Sequence, residues 1–218
     1  EKGSRCGNTC PIRLLTYLSD QHMMLQVMPQ PYFRRFDMTD FSAAAGTWKI
    51  DESHTTLGFS ARHAMVAKVR GQFTDFGGSF TLDASSPENS TAAVVIKTAS
   101  LDTRNEDRDA HLKSADFLNV EQYPELTFTS TAIKHTGGND FILGGDLTIN
   151  GVARPVEVEV SYVGVSQDPW GGTRIGFEGH TEITRKDFGL TWNVALEAGG
   201  VLVSEKVRID IDVEAVKQ

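Results

Sequence analysis

From Gly46 onward, apolar and polar residues alternate with a period of two, and turn residues cut the alternation into runs. Leu57, Phe59, Ala61 and His63 fall on one face of an expected strand, with Thr56, Ser60 and Arg62 on the other. The same pattern places Ala92, Val94 and Ile96 together, then Leu126 and Phe128 opposite threonines, then Val156, Val158 and Val160 opposite Glu157 and Glu159. It is cleanest near the end, where Val207, Ile209, Ile211 and Val213 alternate with Arg208, Asp210, Asp212 and Glu214. Gly77-Gly78, residues 137–140, Asn150-Gly151 and Gly171-Gly172 lie between the runs and read as hairpin turns, Asn-Gly being the pair a two-residue type I′ turn favours. About eight or nine strands with short connections predict an antiparallel meander. A sheet with one apolar face must cover that face or close on itself, and closure also removes the unpaired edges.

Residues 1–37 break the pattern. They have no sustained period of 3.6 or 2 and no export-signal order of charged, apolar and small residues, and Arg34-Arg35 is followed by no hydrophobic segment. They are expected to be a leader or an appended extension outside the fold, with residues 38–218 forming a single domain. Without a recognisable signal the expected compartment is the cytoplasm, with a periplasmic or extracellular location as the alternative. Both cysteines, Cys6 and Cys10, fall in this leader, so the body has no thiol for a disulfide, a metal or a nucleophile.

Hydrophobic residues make up 39% of the 218 residues and charged residues 23%, an ordinary composition for a folded domain. No apolar run approaches a membrane-spanning length, so no stable membrane insertion is expected. With 21 basic against 29 acidic residues the net charge is −8, which opposes binding to a phosphate backbone, and nucleic acid is not an expected partner.

The stretch LDTRNEDRDAHLKSADFLNVEQYP, from Leu101, has no period-two face. Asp102 or Thr103 is positioned to cap a short helix in which Arg104, Asp107, Arg108 and His111 lie about a turn apart. Its interleaved charges fit a solvated helix. They also allow a site, with Asp109 and His111 as two local ligands or an acid/base pair. A metal centre needs three or four converging donors, and the six histidines are scattered, so no metal ligands are assigned. No Gly-x-Ser-x-Gly elbow and no phosphate loop are present, and no catalytic residue is assigned.

Twelve phenylalanines and three tryptophans either fill a barrel of this size solidly or line an elongated cavity, and periodicity does not separate the two. Five segments in order resemble the YceI-like, polyisoprenoid-binding family: WKIDESHTTLGFSARH at 48–63, GQFTDFGGSF at 71–80, TRNEDRDAHLKSADFLNVEQYPELTFTS at 103–130, GGDLTINGVARPV at 144–156 and TRKDFGLTW at 184–192. The resemblance implies an all-β fold, an antiparallel eight-stranded lipocalin-like β-barrel with a short helix in the 103–118 insertion. It implies a non-enzymatic binding or carrier protein that holds a long isoprenoid lipid, of polyprenyl phosphate or isoprenoid quinone type, as ligand and needs no cofactor. Burial of an apolar tail at roughly 25 cal/mol per Å² is sufficient for affinity.

Strand parity and the family's inward aromatic positions name Phe59, Phe73, Phe80, Val94, Phe128, Leu147, Phe177, Phe188 and Trp192 as tunnel residues. His54, His63, Arg104, His111 and Arg174 are the candidates for the polar head, arginine suiting a phosphate and neutral histidine a quinone carbonyl. The alternative is a metal-dependent hydrolase using Asp109 and His111 near the barrel mouth. The isoprenoid lipid is the expected partner, and a homodimer is compatible with the sequence.

Overall fold

A computed structural model of the chain describes residues 41–197 and 199–218. The expectation for residues 1–37 falls outside the described residues. Eleven strands are described: β1 (Gly46–Ile50), β2 (Thr56–His63), β3 (Ala67–Phe73), β4 (Phe76–Leu82), β5 (Thr91–Lys97), β6 (Leu101–Asp102), β7 (Glu125–Gly137), β8 (Asp140–Ile149), β9 (Val152–Gln167), β10 (Thr173–Thr184) and β11 (Val203–Lys217). One α-helix, α1 (Glu106–Lys113), follows β6. Eight strands form a closed antiparallel ring in the order β1-β4-β5-β7-β8-β9-β10-β11, sealed by β11 returning to β1. Strands β2, β3 and β6 extend the sheet from β11. Among the described residues no helix is long and apolar enough to cross a membrane.

β11 serves two neighbours along one edge. Its end, Ala215–Lys217, pairs with β1, while Val207–Asp212 pairs with β2. The handover is made by residues 51–55: Asp51 N–H donates to the Glu214 carbonyl at 2.9 Å, and the Thr55 hydroxyl donates to the same carbonyl at 3.1 Å. Every backbone group of a buried edge must find a partner, and Thr55 supplies one where the ladder is interrupted.

Turn chemistry sets the register elsewhere. Asn150 and Gly151, with φ of 51° and 70°, form a two-residue loop between paired Ile149 and Val152, as the Asn-Gly pair predicts. Gly138 and Asn139 join β7 to β8, and residues 168–172 join β9 to β10. Gly77-Gly78 is not a turn. Both lie inside β4, Gly78 facing Val94 across the ladder.

The buried side chains fall into three groups along the barrel. Trp48, Tyr162, Ile175 and Ala215 fill one end, with Phe80 and Phe177 packed on them. Ile50, Leu57 and Phe76 lie next, again touching Phe80 and also Ile96. Leu101, Phe117, Leu118, Leu126, Ile149, Ile183, Phe188 and Leu190 fill the far end, with Ile96 packed against them.

Candidate ligand-binding cavity

Between these groups the barrel is hollow. A cavity of about 380 Å³ is walled by inward side chains of every long strand, nearly all of them apolar. That volume is within the range of small-molecule sites. Four inward positions carry no side chain at all: Gly71, Gly78, Gly145 and Gly179. A Cβ on Gly71 would collide with the Phe59 ring, and one on Gly145 with the Phe128 ring. Both phenylalanines therefore lie over a glycine, against the wall, and leave the lumen open. On the outer face a larger depression, of about 720 Å³, is lined by Glu159, His180, Asp210 and Asp212 among others. It is a charged, open groove, the wet side of the same alternation.

Seven of the nine expected tunnel residues line the cavity: Phe59, Phe73, Phe80, Val94, Phe128, Leu147 and Phe177. Phe188 and Trp192 do not. Phe188 ends a 3-10 turn, Arg185–Phe188, and is packed into the far-end core at 2% exposure. Trp192 lies beyond the last strand residue of β10, against His111 at a centroid distance of 4.6 Å and Phe117 at 5.2 Å. Strand parity does not extend past the turn that ends β10, which is why both assignments change.

A family model described as a YceI-like domain matches residues 48–215. The chain belongs to the YceI-like family. A relative, the protein YceI of Escherichia coli O17:K52:H18, is 43% identical over 179 residues, which is 81% of this chain and 90% of the relative. Among solved structures, Burkholderia cenocepacia BcnA superposes with a TM-score of 0.64 at 25% identity, covering 76% of this chain and 98% of BcnA. A polyisoprenoid binding domain from Saccharophagus degradans implicated in plant cell wall breakdown superposes with a TM-score of 0.59, over 78% of this chain and 98% of that domain. Its 15% identity makes it a likeness of fold.

In this YceI-like barrel none of the five head-group candidates lines the cavity. Arg174 precedes Ile175, which is 1% exposed in the core, so its side chain leaves from the opposite, outer face. There Nη1 donates to Asp51 at 2.7 Å and also to Glu214, while Nε donates to Asp168 at 2.9 Å. His54 joins the same cluster, its Nδ1 lying 3.1 Å from Asp51. His63 and Arg104 are exposed, at the end of β2 and just before α1. His111 is half-exposed, with Nε2 3.0 Å from Asp116.

The outer cluster around Arg174 ties the β1–β2 handover to the first residues of β10. Asp51 is held well below the ordinary carboxylate range by the Ser53 hydroxyl, by Arg174 and by His54, and Arg174 holds Asp168 down in the same way. A carboxylate with a depressed folded-state pKa contributes stability above its unfolded value, about 3.9 for aspartate, and that contribution fades as pH falls through the folded value. Arg174→Met is therefore expected to lower the melting temperature at neutral pH, and the gap from the parent protein should close on acidification below about pH 4. Thermal melts across pH 2–7 check this, and a gap constant with pH would show that the cluster is not responsible.

Among the described residues, Asp51, His54 and Glu214 also form the one group of three donors close enough to share a metal ion, with Arg174 bonded to two of them. Asp109 and His111 are not part of it. Asp109 accepts from the Thr103 backbone N–H at 2.9 Å, and Arg108 Nε donates to the Thr103 hydroxyl at 2.7 Å, so this pair folds the insertion around Thr103. The helix cap is Asn105, whose side chain accepts from Arg108 N–H at 2.9 Å, in place of the expected Asp102 or Thr103. Leu112, Phe117 and Leu118 from this insertion reach the cavity wall.

Among the wall residues outside the expected set, Arg185 differs from the rest in carrying a positive charge. Arg185 is in the wall and 2% exposed. The signal was available: Phe177, Gly179, Thr181 and Ile183 all line the cavity, and the same odd-numbered parity arrives at 185.

Proposed function

We propose that this protein is a non-enzymatic binding or carrier protein that holds a long isoprenoid chain in its barrel cavity. The observation that carries the reading is the hollow, apolar lumen with glycines at four inward positions. The rings of Phe59 and Phe128 lie back over Gly71 and Gly145 instead of crossing the lumen, which leaves the interior below the density of a solidly packed core. An apolar chain drawn into this lumen gains roughly 25 cal/mol per Å² removed from water and needs few polar contacts to orient it. The shared fold with the Saccharophagus degradans polyisoprenoid binding domain supports an isoprenoid as the chain. The arrangement of Asp109 and His111, each held by a neighbour within the insertion, lends no support to a hydrolytic site there.

Native mass spectrometry of the purified protein, followed by solvent extraction, tests this. A co-purifying polyprenyl species at about one per chain is expected. Protein that carries none, and that takes up no polyprenyl chain after incubation, would overturn the proposal.

A further inference from the structure

The cavity wall contains one buried cation. The Arg185 guanidinium donates from Nε to the Ser204 carbonyl at 3.0 Å and from Nη1 to the Leu190 carbonyl, while Nη2 is buried with no hydrogen-bond partner. Its nearest acidic influence, Glu205, is engaged at the surface by Lys186. Two neutral carbonyls thus share a full positive charge inside an apolar chamber, and both N–H groups of Nη2 are unmet. Buried charges are otherwise paired, and buried donors otherwise bonded, so this arrangement is incomplete without a further acceptor. Within its own loop the Arg185 and Lys186 carbonyls are already in use: Gly189 N–H donates to both, and Leu190 N–H returns to the Arg185 carbonyl at 3.2 Å.

Two other polar side chains of the wall are bonded within the protein. The Thr181 hydroxyl donates to the Glu157 carbonyl at 2.7 Å, and Asp83, at the other end, accepts from Ser85 and Ser86. Arg185 sits beside Ile183, Phe188 and Leu190 of the far-end core, so a group bound to it would have its tail directed along the lumen toward Phe59 and Val94.

We infer that Arg185 anchors the ligand's head, and that the head is an anionic oxygen group, a carboxylate or a phosphate, accepting from Nη2. This rests on the reading of the cavity as an apolar-chain site. An anion completes both the charge and the hydrogen bonds, whereas a neutral hydroxyl or carbonyl completes only the bonds. Burial disfavours the charged form of this guanidinium, and a bound anion offsets that penalty.

The experiment compares three ligands with one tail: geranylgeraniol, geranylgeranoic acid and geranylgeranyl monophosphate, titrated into delipidated full-length protein. At least one acid is expected to bind roughly 10- to 100-fold more tightly than the alcohol. Arg185→Met should weaken the acids far more than the alcohol and so erase that preference, and Arg185→Lys should retain part of it. Equal binding of all three ligands, or a preference surviving in Arg185→Met, overturns the anchor and leaves the cavity reading standing. Binding of none overturns the cavity reading and the anchor with it. Should Arg185→Met not fold, the wild-type preference and its change in Arg185→Lys decide the matter.

Discussion

Trp48→Ala is expected to destabilise the barrel by about 3–5 kcal/mol, a loss typical of deleting a fully buried aromatic ring. Trp48 is fully buried and belongs to the group that fills one end of the barrel. It sits on β1, the strand that closes the ring, directly opposite Phe80 on β4 and Lys217 on β11. Its indole N–H donates to the Ala44 carbonyl at 2.8 Å, so truncation removes packing and also leaves that carbonyl without its donor. The Lys217 ammonium lies 5.2 Å from the ring centroid and loses its aromatic partner as well. For a domain of this size the loss corresponds to a fall in melting temperature of roughly 6–20 °C. Denaturant unfolding at constant m-value checks it. A change below about 1 kcal/mol would mean that β1 does not hold the ring closed through this side chain. Trp48→Phe separates the two contributions, since it keeps most of the packing and loses the hydrogen bond.

The alternation that makes this barrel was legible because it is a local property. Val207, Ile209, Ile211 and Val213 on one face of β11 need only their neighbours to be identified, and all four line the lumen. Closure was legible by a physical argument about edges, and the resemblance named its geometry. Legibility ended where a decision rested on residue type without parity. Arg174 suits a head group by its guanidinium, yet its even position puts it on the outer face with Asp51 and Asp168, while Arg185 has the inward parity and lies in the wall. A buried arginine is an unusual expectation from sequence, and the default is to treat such a residue as exposed. Phe188 and Trp192 fail for the complementary reason, since the 3-10 turn at Arg185 ends the strand and with it the rule used to orient them.

Hollowness was also encoded. Gly71, Gly78, Gly145 and Gly179 stand at inward positions of β3, β4, β8 and β10, and a strand glycine commonly marks the close approach of another group. By sequence Gly78 resembles a turn residue, because Gly77-Gly78 forms a pair of the kind hairpins use. The distinction lies in its pairing with Val94, a non-local fact that no sequence window contains. The cap of α1 is a smaller case: Asp102 and Asn105 are both good capping residues, and Arg104, with φ of 62°, shifts the start of the helix to Asn105.

Val94→Trp is expected to abolish binding of long polyprenyl chains, lowering affinity at least 100-fold, while the protein remains folded. Val94 lies on β5 opposite Gly78 and Phe128, and it packs against Ile50, Leu57 and Phe76, the group between the two ends of the barrel. The space over Gly78 is taken by Ile50, whose Cδ1 lies 3.0 Å from where a Cβ would stand, so a larger ring at Val94 extends into the lumen itself. The sign of the stability change discriminates between two kinds of interior. In a solid core, adding this much volume costs typically 1–3 kcal/mol or more through forced rotamers and backbone shifts. In a hollow barrel the indole fills unoccupied space and gains contacts, so the melting temperature of the delipidated protein should hold or rise. Binding should then depend on chain length. A chain short enough to remain beside Arg185 at the far end should retain measurable affinity, whereas one that must pass Val94 should not. Titration of a series of polyprenyl acids of increasing length, with thermal melts of the same samples, reads both quantities. Unchanged affinity for the longest chain would place the ligand elsewhere than the lumen, and a strongly destabilised variant would show that the interior is already full at this level.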